Sequence, residues 1–328
     1  MMRFIFRLIR LLTLNYRPFR KKQELLVVLF HQVNDKKLMF YPAVPTKVYQ
    51  DTCLFLHKYY EIIHFSELEK HYKSNPSKPA AIISFDDGMY DIIENVLPFM
   101  EKHRLKFNIN IDTEILETKL PQDFLRVYDI LNHSNPLKTY NDLKFLKQPI
   151  SINYNSPIET ENAFTYILSN LSKEDKRKFT LNMHHNLNMH YANYSRVISL
   201  EQLKELSTNK LVEIGSHSHS HSVLTKIDQE SVKYELSHSK KLLENTTDNT
   251  ISIIAYPNGC SSSEIDQMAV ETGYRFLLKT DDKTTIIDST FDFKSGSYFR
   301  INQYHQNTEL VLAHTFGIIQ KVKKLVKR

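Results

Sequence analysis

The chain predicts an α/β fold whose mostly parallel strands close into a barrel. Three observations predict it. Short apolar, β-branched runs alternate with amphipathic helical stretches along most of the 328 residues, as expected of parallel strands that need a helix to return. There are about seven or eight such runs, which suits closure better than an open sheet. The polar residues that break the pattern fall directly after four of the runs: His31, Asp86 with Asp87, His217 through His221, and Pro257-Asn258-Gly259. In α/β barrels the C-terminal rim of the strands is where active sites gather.

A hydrophobic content of 41% supports a packed core. The two cysteines, Cys53 and Cys260, make no disulfide framework, which fits a reducing, cytoplasmic compartment. The net charge of +6 is unevenly spread. Residues 1–22 hold seven basic and no acidic residues, and residues 316–328 hold five basic and no acidic ones, so the body between them stands at −6. A mildly acidic body argues against a nucleic-acid partner.

The N-terminal segment, residues 1–24, sets Arg3, Arg7, Arg10 and Arg17 against Phe4, Ile5, Leu8, Ile9, Leu11, Leu12 and Leu14. It contains no apolar run of the roughly 18–20 residues that a membrane span needs. Arg7 and Arg10 also interrupt any secretory core. A basic amphipathic helix reads as a peripheral membrane-surface anchor; a helix docked on the protein's own core is the other reading. Residues 316–328 repeat the pattern, with Ile318, Ile319, Val322, Leu325 and Val326 opposite lysines.

The barrel is expected over residues 25–315. Leu25–Phe30 reads as its first strand, ending at His31. A helix over about Thr46–Lys58 follows, then a short strand within Tyr60–Phe65 and a Pro- and Ser-rich loop over Lys73–Pro79. The run Ala80-Ala81-Ile82-Ile83-Ser84-Phe85 is a buried strand that stops at Asp86-Asp87-Gly88. Adjacent carboxylates repel and lose solvation there, and a cation compensates both effects; an exposed Asp-Asp-Gly turn fits the same residues. A helix over Asp91–His103 and a strand over Phe107–Asp112 come next, the latter placing Asn108 and Asn110 on one face. Residues 115–198 look mainly helical and read as an insertion beside the site; His184, His185 and His190 within it read as surface residues.

The strand Leu211–Ser216 runs into His217-Ser218-His219-Ser220-His221 and decides between the two readings of the aspartates. Imidazole with carboxylate suits zinc and similar divalent ions, and a spacing of four puts His217 and His221 on one face of a helical turn. A His-rich linker fits less well directly after an apolar strand. Ser199 caps a helix before that strand, and Gln229–Glu244 forms one after it. Ile251–Ala255 is a strand leading to Pro257-Asn258-Gly259. Ser261 and Glu264 then suggest a capping box, Gly273 a helix end, and Arg275–Lys279 and Tyr298–Ile301 the last strands.

These residues resemble the polysaccharide deacetylase family, also called the NodB-homology or carbohydrate esterase 4 family. Its T/S-F-D-D-G motif matches Ser84 to Gly88, and its H-S/T-x-x-H motif matches His217 to His221. The resemblance covers most of residues 25–302 and is weak over 115–198. It implies a distorted (β/α)7 barrel and a metal-dependent hydrolase that removes N-acetyl groups from a glycan. Phe30-His31-Gln32-Val33 is similar to the Y-H-x-V motif of the circularly permuted branch, which includes the poly-N-acetylglucosamine deacetylases. The resemblance therefore makes His31 the general acid, since no convincing L-x-H motif follows the last strand, where His305 and His314 are poor fits.

The roles then follow from chemistry. Asp87, His217 and His221 form a two-His-one-carboxylate site for a divalent ion, expected to be Zn2+. Asp86, beside the ion, acts as base. By resemblance the backbone N–H of Asn258 faces the developing oxyanion. The family's arginine motif is missing around Tyr256-Pro257-Asn258-Gly259, and Arg300 is the candidate to orient Asp86 in its place. The tails suggest an N-acetylhexosamine polymer near a membrane or linked to lipid. A catalytically silent glycan-binding barrel, and a hydrolase of a non-sugar C–N or ester bond, are the alternatives.

Overall fold

The computed structural model describes residues 23–133 and 195–319, with isolated positions between 156 and 181. The expected surface helix of residues 1–22, the end of the C-terminal tail from residue 320, and His184, His185 and His190 lie outside the described residues.

Seven parallel strands close a barrel: β1 (Glu24–Phe30), β3 (Ala80–Phe85), β4 (Phe107–Ile111), β5 (Val212–Ser216), β6 (Ile253–Ala255), β7 (Phe276–Thr280) and β9 (Gly296–Asn302). Two short strands, β2 (Glu61–Ile62) and β8 (Thr285–Ile286), pair outside this ring with β3 and β1. Closure comes from β1, which pairs with β9 on one side and β3 on the other. The strand leading to His31 thus opens the chain and lies beside the aspartate strand. This is the distorted (β/α)7, NodB-like barrel that the resemblance implied.

The helices α1 (Thr46–Tyr59), α2 (Leu68–Lys73), α3 (Leu97–His103), α4 (Glu114–Thr118), α5 (Asp123–His133), α6 (Leu200–Thr208), α7 (Gln229–Thr247), α8 (Ser263–Glu271) and α9 (Thr308–Thr315) complete the described elements. The core follows the pleat. Strands covered on both faces are apolar at every position, and alternate residues enter different clusters. Leu26, Val28, Phe30, Ala81, Ile83 and Phe85 pack outward under the helices. Leu25, Val27, Ala80, Ile82, Ile253, Ala255, Leu278 and Tyr298 fill the interior with Phe65. Glu213 secures that end by accepting the backbone N–H groups of Phe65 and Ser66 at 2.7 and 2.9 Å.

Several local expectations are corrected. The stretch Tyr60–Phe65 is extended only at Glu61–Ile62, and Phe65–Glu67 forms a 3-10 turn capped by His64. The helix expected from Asp91 begins as a π-helical turn over Ile92–Val96 and becomes α-helical at Leu97. The cap of α8 is Ser262, whose hydroxyl accepts from the Ile265 N–H; Ser261 instead donates to Asp266. Ile318 is buried in the core and Ile319 packs against it, so these two residues do not face a membrane. No helix among the described residues is long and apolar enough to cross a membrane.

Candidate active site

The interior face of each strand carries the site upward. In register across the sheet, Leu29 meets Ser84, Ser84 meets Asn108, and Asn110 meets Gly215. Two residues beyond Leu29, Ser84 and Gly215 stand His31, Asp86 and His217, so period-two alternation alone delivers all three to the barrel mouth. Asp87 would point the other way in an extended chain. Its φ of 71° places it in the left-handed region, where the chain bends at the strand end. Asp is among the residues that tolerate that region. Gln122 Nε2 donates to the Asp87 carbonyl at 3.0 Å and holds the bend.

The histidine stretch is not a helical turn. Residues 217–223 are irregular, with φ of 66° at Ser218 and 54° at His221. These two left-handed residues, rather than a helical repeat, bring the imidazoles together, with ring centroids 4.8 Å apart. Glu235 of α7 fixes the loop by accepting the N–H groups of His219 and Ser220, each at 2.8 Å. His217 Nδ1 meets the Ala255 carbonyl at 2.7 Å. A carbonyl only accepts, so Nδ1 carries the proton and Nε2 presents its lone pair to the cavity.

Asp87 Oδ1 lies 3.5 Å from His217 Nε2 and 3.4 Å from His221 Nε2. Donors bound to one ion at about 2.1 Å with tetrahedral angles stand about 3.4 Å apart. Both carboxylate oxygens of Asp87 are buried without a hydrogen-bond partner, a costly state for a bare carboxylate. Burial, and then the neighbouring charge of Asp86, raise the Asp87 carboxyl well above the ordinary range. A divalent cation relieves both effects, so these three residues fit a metal.

Asp86 behaves oppositely. Burial pushes its carboxyl up, but the Arg300 guanidinium and the nearby imidazoles outweigh it and hold Asp86 well below the usual carboxylate range. Arg300, fully buried, donates to Asp86 Oδ1 at 2.7 Å. Asn110 Nδ2 donates to the same oxygen at 2.8 Å. Oδ2 stays open toward the cavity, 3.7 Å from His217 Nε2.

His31 also lines the cavity. Burial lowers it to about 4, against the opposing pull of Asp86. Asn258, at φ 57°, projects into the same space from the turn after β6. Its neighbour Gly259 has φ +68° and no room for a side chain, because a Cβ would stand 2.5 Å from the Thr280 backbone nitrogen. The cavity, about 250 Å³, thus gathers His31, Asp86, Asp87, His217, His221 and Asn258. Arg300 sits beneath it. One wall is aromatic: Tyr41 stacks on Tyr128 at 5.1 Å, and Phe124 packs on His221 at 4.9 Å.

Sequence reasoning missed Asn110, Gln122 and Glu235 as positioning residues. The first had a signal, two asparagines on one face of an otherwise apolar strand. Gln122 and Glu235 had none, since polar residues in a loop and on a helix are ordinary.

A closed parallel barrel with carboxylates and imidazoles converging at its mouth has the layout of an α/β-barrel active site. Residues 142–277 match the family model described as polysaccharide deacetylase. The matched segment contains the histidine loop and Asn258 but not His31, Asp86, Asp87 or Arg300. Among solved structures, the chain resembles BC0361, a polysaccharide deacetylase from Bacillus cereus, at 15% identity and a TM-score of 0.57, covering 90% of this chain and 69% of that one. It resembles the Streptococcus pyogenes deacetylase PplD, solved in complex with acetate, at 14% identity and a TM-score of 0.57, covering 89% and 98%. It also resembles IcaB from Ammonifex degensii at 12% identity and a TM-score of 0.54, covering 90% and 97%. At these identities the likeness is one of fold. No curated protein sequence matches the chain significantly.

Proposed function

We propose that the protein removes N-acetyl groups from N-acetylhexosamine residues of a glycan, using a divalent ion, Zn2+, held by Asp87, His217 and His221. The observation that carries this reading is the unpartnered, buried Asp87 carboxylate within 3.5 Å of two imidazole nitrogens. The ion supplies Lewis acidity and lowers the pKa of water toward neutrality. Asp86 Oδ2 takes the proton of the attacking water, while Arg300 and Asn110 hold Oδ1 and fix the carboxylate's direction. The Asn258 N–H stabilises the oxygen of the acetyl group as it gains charge. His31 protonates the departing sugar nitrogen, without which an amine is a poor leaving group. The aromatic wall of Tyr41, Phe124 and Tyr128 offers a flat apolar surface to the sugar ring.

The charged ends support a location at a cytoplasmic membrane surface, on a membrane-proximal or lipid-linked glycan. Metal content measured alongside acetate release across a panel of N-acetylated glycans tests the whole reading. Release from N-acetylhexosamine polymers that disappears on chelation and returns with zinc is the expected result. Metal binding without acetate release from any glycan indicates a silent binding barrel, and release only from aryl esters or non-sugar amides indicates a different hydrolase. Deleting residues 1–22 and 320–328 is expected to free the protein from anionic vesicles with activity intact; retention on the vesicles rejects the anchoring role.

A further inference from the structure

The histidine loop has two sides, and the mechanism uses only one. His217 and His221 face the barrel mouth, while His219 between them turns outward between α4 and α7. There it meets Glu117 of α4 and His238 of α7. The three ligand atoms lie within 4.8 Å of one another, with Glu117 Oε1 3.7 Å from His238 Nε2. Two imidazoles and a carboxylate are the donor set of a zinc-class ion.

Three further observations support a built site. Thr113 Oγ1 engages His219 Nδ1 at 2.9 Å, leaving Nε2 as the available nitrogen and fixing the ring, as an orienting partner does for a metal-bound imidazole. His238 Nε2 is sealed from solvent and makes no hydrogen bond, a state that costs free energy unless a ligand satisfies it. Tyr234, one turn earlier on α7, stacks on the His238 ring at 4.9 Å and 15° and meets His219 edge-on at 5.6 Å. The Glu117 side chain is half exposed, so water can complete a fourth position.

We propose that Glu117, His219 and His238 form a second site for a zinc-class divalent cation, back to back with the first and joined to it by the loop. The spacing of three between Glu235 and His238 sets both on one face of α7. Glu235 holds the loop backbone, and the ion ties the loop's outer side chain to α4 and α7. Occupancy therefore braces the segment that carries His217 and His221.

The test is zinc stoichiometry of the untagged full-length protein after dialysis against buffered Zn2+, with Co2+ absorption as a second probe. Wild type is expected to bind one equivalent more than His238→Ala or Glu117→Gln, and Asp87→Ala to lose one independent equivalent. Circular dichroism confirms that each variant is folded, and His238→Gln repeats the measurement with the side-chain volume kept. Equal stoichiometry in wild type and all three outer-site variants overturns the second site. If instead Asp87→Ala loses nothing while His238→Ala loses one equivalent, the second site stands and the proposed catalytic centre fails.

Discussion

Replacing Asp86 with asparagine separates proton transfer from metal binding. Asparagine keeps the shape, and its Oδ1 keeps both donors, Arg300 at 2.7 Å and Asn110 at 2.8 Å. Its amide nitrogen, in the place of Oδ2, accepts no proton. Losing a positioned general base costs about 10²–10⁴ in rate, or about 3–5 kcal/mol of barrier. The substitution also strips Arg300 of its counter-charge. The side chains of Arg300 and Asp86 are 0% and 2% exposed, and two further guanidinium nitrogens already lack partners. Breaking one side of such a buried pair costs about 3–5 kcal/mol, and at roughly 2 °C per kcal/mol for a chain of this size the melting temperature falls by roughly 6–10 °C. The assay is acetate release from N-acetylglucosamine oligomers, run below the lowered melting point, with zinc measured on the same sample. Expected is a fall in kcat within that range with zinc content unchanged. A kcat within about tenfold of wild type at full zinc occupancy refutes the role of base; loss of zinc together with activity makes Asp86 a ligand instead.

Three other outcomes are expected. His31→Ala lowers amide hydrolysis by about 10²–10⁴ but spares aryl acetate hydrolysis, whose leaving group needs no proton; equal losses on both substrates reject the acid role. Gly215→Ala sets a Cβ 2.3 Å from Asn110 Oδ1 and 2.8 Å from Ile253 Cγ2, an overpacking that costs about 1–3 kcal/mol and pushes Asn110 off Asp86, so thermal stability and kcat fall together; a fall in stability alone rejects the positioning role of Asn110. Asp91 receives the Val33 N–H at 2.6 Å, and burial raises its carboxyl to about 7. A carboxyl raised on folding adds stability that is full below its unfolded value of about 4 and is lost as the pH climbs through 7. The stability difference between wild type and Asp91→Asn, followed by denaturant titration from pH 4 to 8, should therefore shift in favour of the variant as pH rises; a pH-independent difference contradicts it.

Much of the barrel was legible because a strand's two faces are written at period two. The runs leading to His31, Asp86 and His217 predicted buried strands, and alternation placed those residues at the ends of interior rows. The joining of Asp86 to Arg300, 214 residues apart in the chain, was legible only as a guess at a missing arginine's substitute. The pairing of Asn110 with Asp86 was not legible, because contact across a barrel depends on closure and register rather than on either strand's own pattern.

What the sequence determined by itself is the set of strands, their inward and outward faces, and the chemical types at their ends, all of which depend on residues a few positions apart. The tertiary structure decided how those ends converge. Left-handed backbone at Asp87, Ser218 and His221 turned Asp87, His217 and His221 toward one point where helical spacing had suggested another route. Ring closure between β9, β1 and β3 put a buried guanidinium beneath one carboxylate and left the other without a partner. That asymmetry arises from burial and from charges distant in the chain, and it distinguishes the proposed proton acceptor, Asp86, from the proposed cation ligand, Asp87.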